Sequence, residues 1–152
     1  FRSRAVLRRV CFGVGSGRCG AKAKLREGGM HKFPQSPELQ FLIGKELAQI
    51  ALDPNSVQFR WSQGGQITVT GDLEHVGEDR IVHPYDCAAF AGPPLLLHRL
   101  LMKKVVMIEV QPLCLTLGFE GGQQLRLKSE EGPWECGLIS FTDDLADGWI
   151  VY

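Results

Sequence analysis

The chain has 152 residues, of which 44% are hydrophobic and 22% are charged. This composition is typical of one globular domain that can bury a core without disulfide bonds, and it excludes disordered and collagen-like chains. No apolar run reaches the roughly 18 residues that a membrane-spanning helix needs, so we expect no membrane insertion.

A basic tail occupies residues 1–29. It holds eight of the 17 Lys and Arg residues and one acid, Glu27, which leaves nine bases and 16 acids in residues 30–152. Four interpretations fit it: a nucleic-acid-binding arm, an organellar transit peptide, a short amphipathic helix, or translated sequence upstream of Met30. The last is favoured, because Met30 is the first methionine of the chain. Nucleic acid is not expected as a partner, because Phe12 is the only aromatic residue that interleaves with the tail's bases. We therefore expect the tail to be dispensable for folding.

The body contains a gapless internal repeat in which residues 39–70 align with residues 97–128 at an offset of 58. Apolar residues fall on apolar residues, and Pro54, Gly64 and Gln66 fall on residues of their own type. Self-similarity at a fixed offset indicates one supersecondary unit that is used twice.

Each unit opens with three apolar residues at positions i, i+3 and i+4, a spacing that predicts one face of a helix. The two sets are Leu39, Leu42 and Ile43, and Leu97, Leu100 and Leu101.

Alternating patterns then predict three antiparallel strands in each unit, the first at 47–52 and 105–110. Gly64 and Gly122 suit hairpin loops because glycine tolerates positive φ. Four alternating residues are expected to be buried in one core: Phe59, Trp61, Leu117 and Phe119.

Together these elements predict an α+β fold. Two pseudo-symmetric helix–β-meander repeats would form one antiparallel-sheet or barrel-like domain over residues 30–152. An insertion follows each unit. The first, 72–94, has a strand candidate at 80–82, and the second, 130–152, has strand candidates at 134–141 and 148–152.

Residues that could bind a metal or act as nucleophiles are few. His83, Asp86 and Cys87 lie close together and His75 is the nearest further ligand, but no zinc signature is present, so the segment is interpreted as a surface loop with a turn proline. The five cysteines form no disulfide framework, which favours a cytoplasmic location. We predict no catalytic residue, metal or cofactor.

Three aromatic residues are candidates for a protein interface: Trp134, Trp149 and Tyr152. The apolar run 149–152 is a candidate dimer contact, because an exposed strand edge must be covered or paired. We therefore predict a homodimer, and the acidic body suits a basic protein partner.

The stretch 115–127, read as LTLGFEGGQQLRL and followed by Trp134 and Glu135, resembles a family of small uncharacterised bacterial α+β domains. Their pattern is L-T-L-x-F-x-[DG]-G-x-x-L-x-[VL] followed by a Trp and Glu pair, here in the order Trp-Glu. The resemblance implies an accessory protein of the immunity-protein type or one encoded in a mobile gene cassette. It implies no chemistry.

Two functions remain open from the sequence. The first is a protein-binding or self-associating bacterial accessory domain. The alternative is a small-ligand-binding or enzymatic domain with a cleft between the two repeats. A convergent buried group that includes His, Asp or Cys would favour the alternative, and a flat apolar patch would favour the first.

Overall fold

The computed structural model describes residues 32–87, 89, 92, 96–132, 134–142 and 148–152, so the basic tail lies outside the described residues. Within these residues, ten strands form two antiparallel five-stranded sheets, in the orders β1-β2-β3-β9-β10 and β5-β4-β8-β7-β6. The strands are β1 (Leu47–Asp53), β2 (Ser56–Trp61), β3 (Gln66–Val69), β4 (Asp72–Val76), β5 (Val82–Asp86), β6 (Val105–Gln111), β7 (Cys114–Phe119), β8 (Gln124–Lys128), β9 (Gly137–Ser140) and β10 (Trp149–Val151).

Helix is scarce in the described part of the chain. It amounts to the four-residue α1 (Ser36–Leu39) and two 3₁₀-helices, Gln40–Leu42 and Leu97–Leu100. The molecule is therefore mostly β, and the predicted α+β class is not confirmed. A 3₁₀-helix has three residues per turn, so residues i and i+3 share a face and residue i+4 does not. Accordingly Ile43 and Leu101 are 40% and 37% exposed, although the sequence pattern placed both on the buried face.

The two sheets exchange hairpins. In the first sheet β1, β2 and β3 pair in sequence order, and β6, β7 and β8 do the same in the second. The β4–β5 hairpin, however, joins the second sheet through β8, while the β9–β10 hairpin joins the first sheet through β3. Each sheet thus contains strands from the first half of the body (32–87) and from the second half (96–152).

Backbone detail recurs at the 58-residue offset. The β1–β2 pair shifts register between Leu47 and Gln49, and the β6–β7 pair does so between Val105 and Met107. The N–H of Trp61 donates to the carbonyl of Gly65 at 3.1 Å, and 58 residues later Phe119 donates to Gln123 at 2.9 Å. We call two residues that are 58 positions apart mates.

A seam joins the starting ends of the edge strands β1 and β6. The Gly44 N–H donates to the carbonyl of Val105, and the Met102 N–H donates to the carbonyl of Leu47. The two bonds correspond to each other, because Met102 is the mate of Gly44 and Val105 is the mate of Leu47. An isolated bridge pairs Glu46 with its own mate Lys104, so these contacts across the seam are reciprocal between the two repeats.

One hydrophobic core is shared by both sheets. Phe59, Trp61, Leu117 and Phe119 are all buried in the same cluster, which confirms the prediction from their alternation.

The insertion after the first repeat differs from its prediction. The strand expected at 80–82 is β5, which begins at Val82 and extends to Asp86, so the segment read as a surface loop is a strand. Pro84 is tolerated there because β5 is an edge strand, where a missing N–H leaves no ladder bond unmade.

Candidate functional site

A polar pocket with a volume of about 550 Å³ lies between the two halves of the body. The turn from β4 to β5 contributes two residues, and the second half contributes three residues from the second 3₁₀-helix, the approach to β6 and the β7–β8 loop. The lining residues are Glu78, Asp79, Arg99, Lys103 and Gln123.

A chain of side-chain hydrogen bonds leads from the rim of this pocket into the core. Lys103 Nζ donates to Glu78 Oε1 at 3.0 Å, and Gln123 Nε2 donates to the same oxygen at 3.1 Å. These two donors hold the pKa of Glu78 below its usual value, so the carboxylate is charged. Because the Gln123 amide nitrogen faces Glu78, its oxygen faces inward, where His75 Nε2 lies at 2.9 Å.

His75 is the inner end of this chain, and it is fully buried within β4. An amide oxygen can only accept, so Nε2 carries the proton and donates to Gln123. Burial lowers the pKa of His75, which keeps the ring neutral. Its Nδ1 atom has no hydrogen-bond partner among the described residues. A buried polar atom without a partner costs about 1–3 kcal/mol of stability.

Three of the pocket residues have mates in the first repeat, and these mates form a different arrangement at a separate site. The mate of Arg99 is Phe41, whose ring packs edge-on against Phe141 with centroids 5.2 Å apart. The mate of Gln123 is Gly65, where an added Cβ would lie 2.7 Å from Phe41 Cε2. Two phenylalanine rings thus occupy the place that corresponds to the pocket.

The mate of Lys103 also has a different role. Lys45 Nζ donates to the carbonyls of Gln63 and Gly64 at 3.1 and 2.7 Å, and it lies 5.0 Å from the centroid of the Phe41 ring. This lysine caps a loop and covers an aromatic ring, whereas Lys103 binds a carboxylate.

The position that corresponds to His75 follows from strand pairing. His75 lies opposite Leu125 in β8, and Ile139 lies opposite Ile67 in β3. Leu125 is the mate of Ile67, so Ile139 occupies the place of His75 in the first sheet, where it is equally buried. The fold therefore accepts an apolar side chain at this position, and packing does not explain the histidine.

The residues predicted as interface candidates lie elsewhere. Trp134 is 72% exposed, and Trp149 is 41% exposed on the edge strand β10. Tyr152 is fully buried: its ring stacks on Phe33 with centroids 4.3 Å apart, and its hydroxyl donates to the carbonyl of Thr68. Burial raises the pKa of Tyr152 well above its usual value. An interface role stays a prediction for the two tryptophans, whose side chains reach the surface.

The candidate metal ligands and nucleophiles do not form a further site. His75 and His83 lie opposite each other on β4 and β5, with ring centroids 6.1 Å apart. Within the described residues, no group of three His, Cys, Asp or Glu side chains could hold a metal ion. Burial, followed by the charge of Asp86, raises the pKa of Cys87 to about 11, so its thiol stays protonated and is a poor nucleophile.

Sequence reasoning missed all five residues that line the pocket. The signal was present in the repeat alignment, where Arg99 falls on Phe41 and Gln123 falls on Gly65. At these two positions the second repeat carries a long polar side chain where the first has a phenylalanine or a glycine.

Comparison of the chain with models of protein families, with curated proteins and with solved structures gives no match. The helices within the described residues are too short and too polar to cross a membrane. The predicted basic partner, homodimer and cytoplasmic location stay predictions.

Proposed function

We propose that this chain is a small-ligand-binding domain whose ligand occupies the polar pocket. The observation that carries the proposal is the contrast between mates. At one site Phe41 and Phe141 pack together, and at the corresponding site an open pocket lies over Gln123, which is hydrogen-bonded to the buried His75. A concave site with a few convergent polar groups is the usual form of a ligand site.

The energetics support the same conclusion. The unpartnered Nδ1 of His75 lowers stability, and Ile139 shows that an apolar residue would serve the packing. Departures from the most stable arrangement are typical of functional sites, and His75 holds the pocket residue Gln123 through its Nε2 hydrogen bond.

A transplant variant tests the proposal by installing the residues of the corresponding aromatic site, Ile139, Phe41 and Gly65, as His75→Ile, Arg99→Phe and Gln123→Gly. Gly65 leaves room for the Phe41 ring, so the glycine is needed beside the new phenylalanine. A library of small polar metabolites is screened by ligand-observed NMR and by thermal shift. We expect a ligand that binds the wild-type chain and fails to bind the transplant variant.

Arg60→Gln is the matched control. Arg60 is exposed on β2 in the first sheet and contacts Gln66 and Gln58, so its loss should leave ligand binding unchanged. A library without any binder, or a binder that the folded transplant variant retains with equal affinity, would contradict the proposal.

A second candidate function is self-association with another copy of this chain. Ile43, Leu101, Met102 and Val106 are exposed apolar residues in segments that the seam joins. Met102 is 70% exposed at a φ of 63°, where its mate Gly44 has no side chain. Exposed apolar residues on both sides of the seam suit a self-complementary contact, and the resemblance to immunity-like accessory domains agrees with a protein-binding role.

Light scattering tests this second function. We expect a mass of about twice the 16.9 kDa chain, and a monomer for Met102→Glu. Leu52→Glu is the control, because Leu52 is exposed near the far end of β1, away from the seam. Trp149→Glu tests β10 as the alternative contact. A wild-type monomer at all concentrations would contradict the function.

A further inference from the structure

We propose that the ligand of the polar pocket is a zwitterion, a small molecule with one cationic and one anionic group, such as an α-amino acid. This inference rests on the proposed ligand-binding function and deepens it. The argument depends on which of the charged groups in the pocket are already paired within the protein.

The four charged residues of the lining are two acids and two bases, so their formal charges cancel. Lys103 and Glu78 satisfy each other at 3.0 Å, and Gln123 adds a second donor to Glu78. This pair is complete without a ligand.

Asp79 and Arg99 remain. Both line the same pocket, yet neither forms a salt bridge with the other or with any further residue in the part of the chain that the structure describes. Asp79 Oδ1 accepts a hydrogen bond from the Ile81 N–H at 3.1 Å, which fixes the carboxylate in the turn. Asp79 and Arg99 thus line one open pocket, and both are exposed and without a charged partner among the described residues.

The balance of charge excludes simpler ligands. A phosphate or other multivalent anion would meet Arg99, but it would also be repelled by the carboxylate of Asp79, which has no cationic partner among the described residues. A simple cation would meet Asp79, but it would be repelled by Arg99. A ligand with both charges can pair its ammonium with Asp79 and its carboxylate with Arg99, since charged partners in a cleft bind by complementarity. Its body then lies over Gln123, the buried polar floor.

Three matched compounds test the inference. L-Glutamine carries both charges, glutaramate lacks the ammonium, and 4-aminobutanamide lacks the carboxylate. Their dissociation constants for the full chain are measured by NMR titration. We expect L-glutamine to bind at least about fivefold more tightly than either analogue, the effect of about 1 kcal/mol for each lost charge pair.

Two variants assign the charges. Asp79→Asn keeps an oxygen for the Ile81 N–H and removes the charge, so it should abolish the preference for L-glutamine over glutaramate. Arg99→Gln should abolish the preference over 4-aminobutanamide. Arg60→Gln, with its arginine outside the pocket, should preserve both preferences.

Equal binding of L-glutamine and either analogue to the wild-type chain would overturn the inference, as would preferences that survive both variants. Binding by none of the three would also overturn it. The proposed function fails on a different result, namely when the broad screen yields no ligand that the transplant variant loses.

Discussion

Two corresponding sites of the body, one aromatic and one polar, share backbone hydrogen bonds and differ in their side chains. At one site Phe41 and Phe141 pack together beside Gly65, and at the other Arg99 and Gln123 line a polar pocket above His75. The carbonyls of Gly65 and Gln123 accept corresponding backbone hydrogen bonds, from the N–H groups of Trp61 and Phe119. The aromatic site therefore serves as an internal control: it shows what the scaffold needs to fold, and the polar site shows what was added to that requirement.

The largest loss of stability is expected from truncating an aromatic core residue, and it should be similar in both halves because they share one core. Phe119→Ala and the corresponding change at its mate, Trp61→Ala, each remove a buried aromatic side chain. Each should lower the free energy of unfolding by about 3–5 kcal/mol, through lost burial and the cavity left behind. Urea denaturation measures both. A cost below about 1 kcal/mol for either residue would break the comparison, since that half would not depend on the common core.

A smaller loss is expected when the chemistry of the polar site is placed at the aromatic site. Ile139→His buries an imidazole beside Ile67, where Gly65 offers no side-chain partner corresponding to Gln123. The variant should lose about 2–3 kcal/mol, the cost of an unpaired buried polar group. Equilibrium denaturation decides the matter, with Ile139→Val as the control for altered volume. Equal stability of the two variants would show that this position tolerates polarity.

Placing the residues of the aromatic site into the polar site should change the free energy of unfolding only slightly. The transplant variant removes the unpartnered Nδ1 atom and fills the pocket, so its stability should lie within about 1 kcal/mol of the wild type or above it. Its thermal midpoint and near-UV circular dichroism report the change. A loss of more than about 3 kcal/mol would show that His75 and Gln123 are structural and would remove the energetic argument for a ligand site.

The smallest effect is a dependence of stability on pH that arises from His75, next to the polar pocket, and has no counterpart at the aromatic site. Burial holds the pKa of His75 below its usual value. The unfolded chain therefore binds the proton first as the pH falls, and stability decreases from the unfolded pKa, about 6.5, toward the folded one. Above this window the contribution is fully present. Denaturation at a series of pH values should show that His75→Ile loses less stability than the wild type as the pH falls. Identical profiles would show that His75 is not the source of the pH dependence.

The sequence predicted the repeated strands well, because alternation such as that of Phe59 and Trp61 depends only on neighbouring residues. It missed β4, in which buried His75 follows Glu74 and interrupts the apolar alternation. His75, which hydrogen-bonds the pocket residue Gln123, thus also made its own strand hard to predict. The prediction also missed the exchange of hairpins, since nothing in the local pattern of β3 shows that its partner is β9.

The exchanged hairpins have a consequence for how the chain folds. β3 pairs with β9, where Val69 lies opposite Gly137. The edge of the first meander therefore stays unpaired until nearly the whole body has been synthesised. Pairings between such distant residues raise the contact order and slow folding. They also tie the repeats together, unlike the neighbouring units of a solenoid, which gain stability one after another. This body should unfold in a single cooperative step, and neither half should fold alone.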